Sequence, residues 1–254
     1  MHLYPDEWLI PLWPAPPRVR AVCTTRHGGA SAGRYASLNL GLHVGDDPAS
    51  VQRNRGLLQR GLGVRPIFLN QVHGSHMQPV DLLTEDGSTA DGAFTSHAGV
   101  ACSAMVADCL PVLLCDAQGR QVAAAHAGWR GLLGVQGRGV LEAAVAVFPE
   151  DVPLLAWLGP CIGPTAFEVG EEVRTAFVTQ SPQTTACFQA KAPGKWLADL
   201  PGLARQRLAA MGIARTFGND GGSAWCTVAN ASRFFSHRRD GVSGRMAACI
   251  WLRD

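Results

Sequence analysis

The apolar positions of the chain fall into two alternating patterns. Short continuous runs recur in "VRAVCTTR", "RPIFLNQVHG", "GVACSAMVADCLPVLLCDAQG", "RQVAAAHAG", "PLLAWLGPCIGP" and "GRMAACIWL". Each is bounded by Gly, Pro or Asp and reads as a buried strand, the third segment holding two runs broken by "ADCLP". Between them lie stretches with helical spacing. "DDPASVQRNRGLLQRGLG" opens on Asp and Pro and closes at Gly61 and Gly63. "EVGEEVRTAFV" and "LADLPGLARQRLAAMG" have the same periodicity, and "GWRGLLGVQGRGVLEAAVAVF" predicts a helix whose early glycines permit close packing. "PLWPAPP" predicts an extended arm, and "GGASAGRYASLNLGLHVGDDP" a loop of a length associated with function or disorder. Helices and strands are interspersed without repeats or a shift in composition, so the expectation is an α+β (mixed α/β) single domain over residues 1–254.

Composition narrows the classes of function. Apolar residues make up 47% of the chain, enough for a substantial core, while the net charge is only +2 and no block of like charge occurs. A nucleic-acid partner is therefore not expected. No apolar run reaches membrane-spanning length, and the opening "MHLYPDEWLIPLWPAPPRVR" lacks a basic segment followed by an apolar one, so a soluble, cytoplasmic protein without a membrane partner is expected. Eight cysteines without a CxxC pair read as reduced thiols.

The informative polar residues stand at the ends of predicted strands: His73 in "NQVHGSH", Cys109 in "VADCLP" and His126 in "AAAHAGWRG". A histidine ending an apolar run costs free energy unless something binds it. Two imidazoles and a thiolate suit zinc or copper, and three protein ligands leave a coordination position free, as in catalytic zinc sites. Gaps of 36 and 17 positions match no local metal motif, and on spacing alone three separately hydrogen-bonded side chains are the simpler account. HExxH, GxSxG and GxxxxGK[ST] are absent, and "GVQGRG" lacks dinucleotide-binding spacing. Arg26, at a strand end in "CTTRHGG", suits an anion, although an exposed loop arginine explains it as simply.

The segments "TTRHGG", "YASLNLGLHVGDDP", "NQVHG", "ADCLPVLL", "AAAHAGWRG", "AWLGPCIGPTAFEVGEEVR", "GKWLADLPGLARQRL" and "FFSHRRDGVSGRMAACIWL" together resemble the YfiH-like laccase-domain family. Its members are described as purine nucleoside phosphorylases, polyphenol oxidases or peptidoglycan-editing factors. The resemblance implies an α/β/β/α sandwich of the YfiH and toxin-deamidase type, and a mononuclear metal site of His73, Cys109 and His126. Zn2+ is the expected ion, and Cu2+ also suits the ligands. On this reading Gly128 leaves room for the helix after His126. His237 stands where the family usually has Tyr and Cys161 where Ala is frequent, while neither Cys161 nor Cys226 is given chemistry.

Three reactions follow from the resemblance. The first is phosphorolysis of adenosine, inosine and methylthioadenosine, with deamination of adenosine. Here the metal ligands Cys109 and His126 are catalytic, Asp108 is the candidate proton carrier or equally a carboxylate capping its turn, Arg26 and Arg130 are the candidate phosphate clamps, and Asn39 and Gln71 either bond sugar or base or equally fasten their own loops. The second is hydrolysis of the amide in UDP-muramoyl-L-serine, which needs much the same centre. The third, copper-dependent phenol oxidation, is disfavoured because multicopper clusters use His-x-His pairs and none of the eight histidines forms one. A metal-stabilised interaction module would instead need a fourth protein ligand, and none is evident at a strand end. The charged segment "HRRDG" either binds substrate or secures the C-terminal strand through Arg238 and Asp240, and the second is the reading preferred.

Overall fold

The buried runs assemble into two main sheets. The computed structural model describes residues 5 and 7–254. One sheet has four strands in the order β1 (Val19–Cys23), β13 (Met246–Leu252), β5 (Val100–Val106) and β2 (Arg65–Ile67). The other has six: β12 (Thr216–Gly218), β8 (Leu154–Leu158), β6 (Leu110–Asp116), β7 (Val122–Ala127), β4 (Gly92–Thr95) and β3 (Met77–Pro79). A small third sheet joins β10 (Phe188–Ala192), β11 (Lys195–Ala198) and β9 (Glu168–Gly170). The helices are α1 (Pro48–Leu62), α2 (Trp129–Leu133), α3 (Val140–Ala146), α4 (Glu171–Gln180), α5 (Leu200–Ala210) and α6 (His237–Asp240).

The packing explains why the central strands read as continuous apolar runs. Between the main sheets, Cys102, Ala104, Ile250 and Leu252 meet Leu113, Cys115, Val122 and Ala124. On the outer side of the six-stranded sheet, Val112, Leu114, Ala123 and Ala125 pack with Leu132 of α2, Leu141 and Ala144 of α3, and Leu203 and Leu208 of α5. Beyond the four-stranded sheet, Val22, Ala101, Met105 and Cys249 pack with Leu58 and Leu62 of α1. The layer order is helix, sheet, sheet, helix, the mixed α/β sandwich expected. Strands covered on both faces have no polar side to show. Burying a leucine such as Leu113 or Leu114 contributes about 1.5–3 kcal/mol.

Helix ends follow local chemistry. The Asp47 carboxylate accepts from the N–H groups of Ala49 and Ser50, Pro48 occupies the first turn, and Gly63 closes α1 at φ +70°. Gly61 lies inside the helix instead of ending it, and its missing side chain leaves room for the Trp8 ring, which a Cβ would meet at 3.1 Å. The helix expected across "GWRGLLGVQGRGVLEAAVAVF" is two. α2 ends at Gly134, a tight turn pairs Val135 with Arg138, and α3 begins when the Gly139 N–H donates to Glu142. A Cβ on Gly134 would lie 2.2 Å from the Arg138 carbonyl oxygen, so the glycines make the reversal. The short strands β3, β4 and β9–β12 were not anticipated.

The long loop over residues 28–48 is built rather than loose. Asn54, fully buried on α1, donates to Ser31, to the Ser37 carbonyl and to the Asn39 carbonyl, and accepts from the Ala30 N–H. All eight cysteines are free thiols. Among the described residues no helix is long and apolar enough to cross a membrane.

Candidate metal centre

Three side chains that are distant in sequence meet beside the start of β6 and the end of β7. Cys109 immediately precedes β6, and His126 lies near the end of the neighbouring antiparallel β7, paired with Pro111. His73 arrives from the turn after β2, with its backbone at φ +61°, a left-handed conformation that costs a non-glycine residue free energy. The ligand atoms of His73, Cys109 and His126 all lie within 4.8 Å of one another. The Cys109 Sγ is 3.5 Å from His73 Nε2, and the two imidazole rings meet edge to face with centroids 4.8 Å apart. His126 is buried, Cys109 half-buried and His73 exposed. Two nitrogens and a sulfur at these separations fit a tetrahedral zinc or copper ion with one position open.

Gly128 serves the centre itself. A Cβ there would come within 2.6 Å of His73 Cδ2 and 3.0 Å of Cys109 Sγ, so the glycine leaves room for the ligands more than for the helix behind it.

Burial alone would raise the Cys109 thiol and depress the His126 imidazolium, but their mutual attraction outweighs it. Cys109, facing His126 and His73, falls to about 6, whereas His126, between Cys109 and Asp91, rises to about 9. Each side chain thus favours the charged form of the other, a thiolate on Cys109 and an imidazolium on His126.

Asp91, which the sequence reading did not single out, lies 1% exposed behind this pair. Its Oδ1 accepts from His126 Nδ1 at 2.9 Å and from the His73 N–H at 2.8 Å; its Oδ2 accepts from the N–H groups of Gly74 at 2.6 Å and Val72 at 3.2 Å. Nothing in "TADGAF" announces this, because the partners are brought together only by the fold.

The centre opens into a cavity of about 360 Å³. Met105, Trp129, Ile162, Phe167 and Leu200 supply apolar wall; Arg130, Arg238, Arg245, His43 and His237 supply cationic or titratable groups. Arg130 lies over the Trp129 ring at 4.3 Å. Burial lowers the Arg245 and His43 pKa values, and for His43 the Arg245 charge adds to the effect.

The remaining expected site residues divide. Asp108, Gln71 and Arg130 line the cavity. Asp108 accepts from the Thr227 hydroxyl at 2.5 Å and the Arg238 N–H at 2.6 Å, and Gln71 pairs its amide with both backbone groups of Met105. Arg26 and Asn39 lie outside the cavity lining. The Arg26 guanidinium donates to the carbonyls of Ala36 and Ala231, tying the long loop to the C-terminal segment. Asn39 is fully buried, donating to Gly41 and Asp46 and accepting from the N–H groups of Gly41 and Arg245. Both are occupied in holding the fold. Arg238 and Asp240 do not secure β13 together: Arg238 reaches the cavity and the Glu168 carbonyl, while Asp240 pairs with Arg239 at 2.6 Å. Arg245, the residue before β13, was overlooked because nothing in "SGRMAACIWL" separates it from a strand's flanking charge.

Known proteins share this framework. The curated protein named purine nucleoside phosphorylase PA4543, from Pseudomonas aeruginosa, is 50% identical across 98% of this chain and all of its own length. The Escherichia coli protein named purine nucleoside phosphorylase YfiH is 47% identical across 97% of this chain and 99% of its own. Among solved structures, Neisseria meningitidis protein NMB0706 matches with a TM-score of 0.90 at 45% identity, covering 98% of this chain and 100% of that one. YlmD from Geobacillus stearothermophilus matches with a TM-score of 0.87 at 32% identity over the whole of both chains. The family model described as multi-copper polyphenol oxidoreductase laccase matches residues 20–253, and the chain belongs to that family, the YfiH-like laccase-domain proteins.

Proposed function

We propose that the protein is a zinc-dependent purine nucleoside phosphorylase, acting on adenosine, inosine and methylthioadenosine, that also deaminates adenosine. The observation that carries this reading is the convergence of His73, Cys109 and His126 at a cavity with both apolar and cationic walls. The names of its relatives support the same substrate class. A bound ion would supply Lewis acidity and lower the pKa of coordinated water. Trp129 and Phe167 offer flat apolar surfaces for a purine, and Arg130, Arg238 and Arg245 offer guanidinium groups for phosphate. These arginines take the clamping role expected of Arg26, and Gln71 holds the wall near Met105. Asp108, the candidate proton carrier, also fixes the turn that presents Arg238, and His43 and His237 are further titratable groups of the cavity.

The exposed Arg130 and Arg238 at the same cavity suit a more anionic substrate, which favours UDP-muramoyl-L-serine hydrolysis as the second reading. The His73, Cys109 and His126 set offers no paired histidines for a multicopper cluster, so phenol oxidation is a side reaction at most.

The test is metal analysis of protein purified without added metal, with parallel assays of inosine or adenosine plus phosphate and of UDP-muramoyl-L-serine. About one ion per chain and faster nucleoside turnover are expected. Faster release of L-serine would move the assignment to the second reading. Cys109→Ala and His126→Ala variants that kept both metal and turnover would overturn the metal centre.

A further inference from the structure

We propose that Asp91 is the positioning residue of the metal centre, one carboxylate setting two of its three ligands together. The inference rests on reading His73, Cys109 and His126 as metal ligands. Asp91 immediately precedes β4, its N–H donating to the His76 carbonyl at 3.0 Å and its carbonyl accepting from the His126 N–H at 2.7 Å. Its main chain therefore already joins the His73 turn to β7. The carboxylate adds four bonds of the same sense, distributed two to each oxygen.

The two oxygens do different work. Oδ1 accepts from His126 Nδ1, which fixes the proton there and leaves the Nε2 lone pair for an ion. The same oxygen and Oδ2 accept from three consecutive N–H groups, those of Val72, His73 and Gly74, holding the turn that carries His73 in its left-handed conformation. Four donors converge on one buried group, and only a carboxylate has acceptors on both sides.

An isosteric amide cannot serve both partners. If the amide nitrogen of Asp91→Asn faces His126, the ring must present Nδ1 as an acceptor and carry its proton on Nε2, where the ion would bind. If it faces Gly74 and Val72, donors meet donors and the His73 turn must move. The first orientation also sets the amide nitrogen against the His73 N–H, so either one damages at least one histidine and leaves Cys109 untouched.

The test uses the full chain with Zn2+. Asp91→Asn should fold, as judged by circular dichroism, and bind Zn2+ about 10- to 100-fold more weakly in chelator competition, the usual effect of removing a ligand's hydrogen-bond partner. Its Co2+ form at saturation should retain the thiolate charge-transfer band of Cys109. In wild-type protein with 15N-labelled histidine, the Zn2+ form should show His126 protonated at Nδ1 and coordinated at Nε2, a measurement that needs no variant to fold. A solely structural Asp91 would lower thermal stability and leave Zn2+ affinity unchanged; that result, or a His126 proton on Nε2, overturns the inference. Wild-type protein that takes up no Zn2+ would overturn it together with the metal reading, whereas equal uptake by wild type and variant overturns this inference alone.

Discussion

The Cys109 thiolate and the His126 imidazolium face each other at the ends of adjacent strands, and each sustains the other's charge. Cys109, depressed to about 6, is ionised throughout the neutral range, while His126, raised to about 9, holds its proton there. An incoming ion needs the thiolate as it is and the imidazole without its proton.

Zinc binding at pH 7.5 should therefore release about one proton from this pair, supplied by His126. Affinity should weaken about tenfold per pH unit on acidification between 9 and 6, and more steeply below 6, where the thiol also competes. Calorimetry in buffers of differing ionisation enthalpy checks the count. Two protons released at pH 7.5 would mean that the pair does not share its charge as described.

Gly128→Ala should weaken metal binding without unfolding the protein. The new methyl would fall against His73 Cδ2 and Cys109 Sγ, both ligand side chains, so the strain lands on the centre. A loss of about tenfold or more in Zn2+ affinity, with a thermal midpoint close to wild type, is expected from chelator competition and a melting curve.

Arg130→Ala and Arg26→Ala should separate function from support. The former should raise the KM for phosphate about tenfold or more, as removal of a charge-assisted contact does. The latter should leave that KM unchanged and cost about 1–3 kcal/mol of stability, since it removes two bonds to carbonyls and a guanidinium 4.7 Å from the Phe235 ring. Steady-state kinetics at varied phosphate and denaturant unfolding provide the two readouts.

Asn54→Ala should destabilise the protein by about 2–4 kcal/mol. It removes four hydrogen bonds, two of them fully buried, that fasten residues 30–39 to α1. The denaturation midpoint should fall, and protease cleavage should begin in that loop.

What could be read from the sequence was what is local or periodic. The caps of α1 were legible because Asp47, Pro48 and Gly63 act within one turn of the helix they bound. The buried strands were legible as apolar runs, and His126 stood out because a polar ring ended one of them. The three-residue strands β9 and β12 are too short to establish a period. The break between α2 and α3 was hidden because glycine is equally consistent with close packing and with reversal. The role of Asp91 depends on bonds to residues 17 to 35 positions away, which no motif records. Arg26 drew notice as a cation at a strand end and Asn39 as a polar loop residue, yet their partners belong to the scaffold and most are backbone groups.

The exposed position of His73 on a turn has a kinetic consequence. Cys109 and His126 are carried by the ends of strands joined by a continuous ladder, whereas His73 belongs to no strand and is held by the three N–H groups that its turn gives to Asp91. An ion would then enter and leave past His73, the exposed member of the three, and a change at Val72 or Gly74, whose N–H groups hold that turn on Asp91, would alter how the site fills.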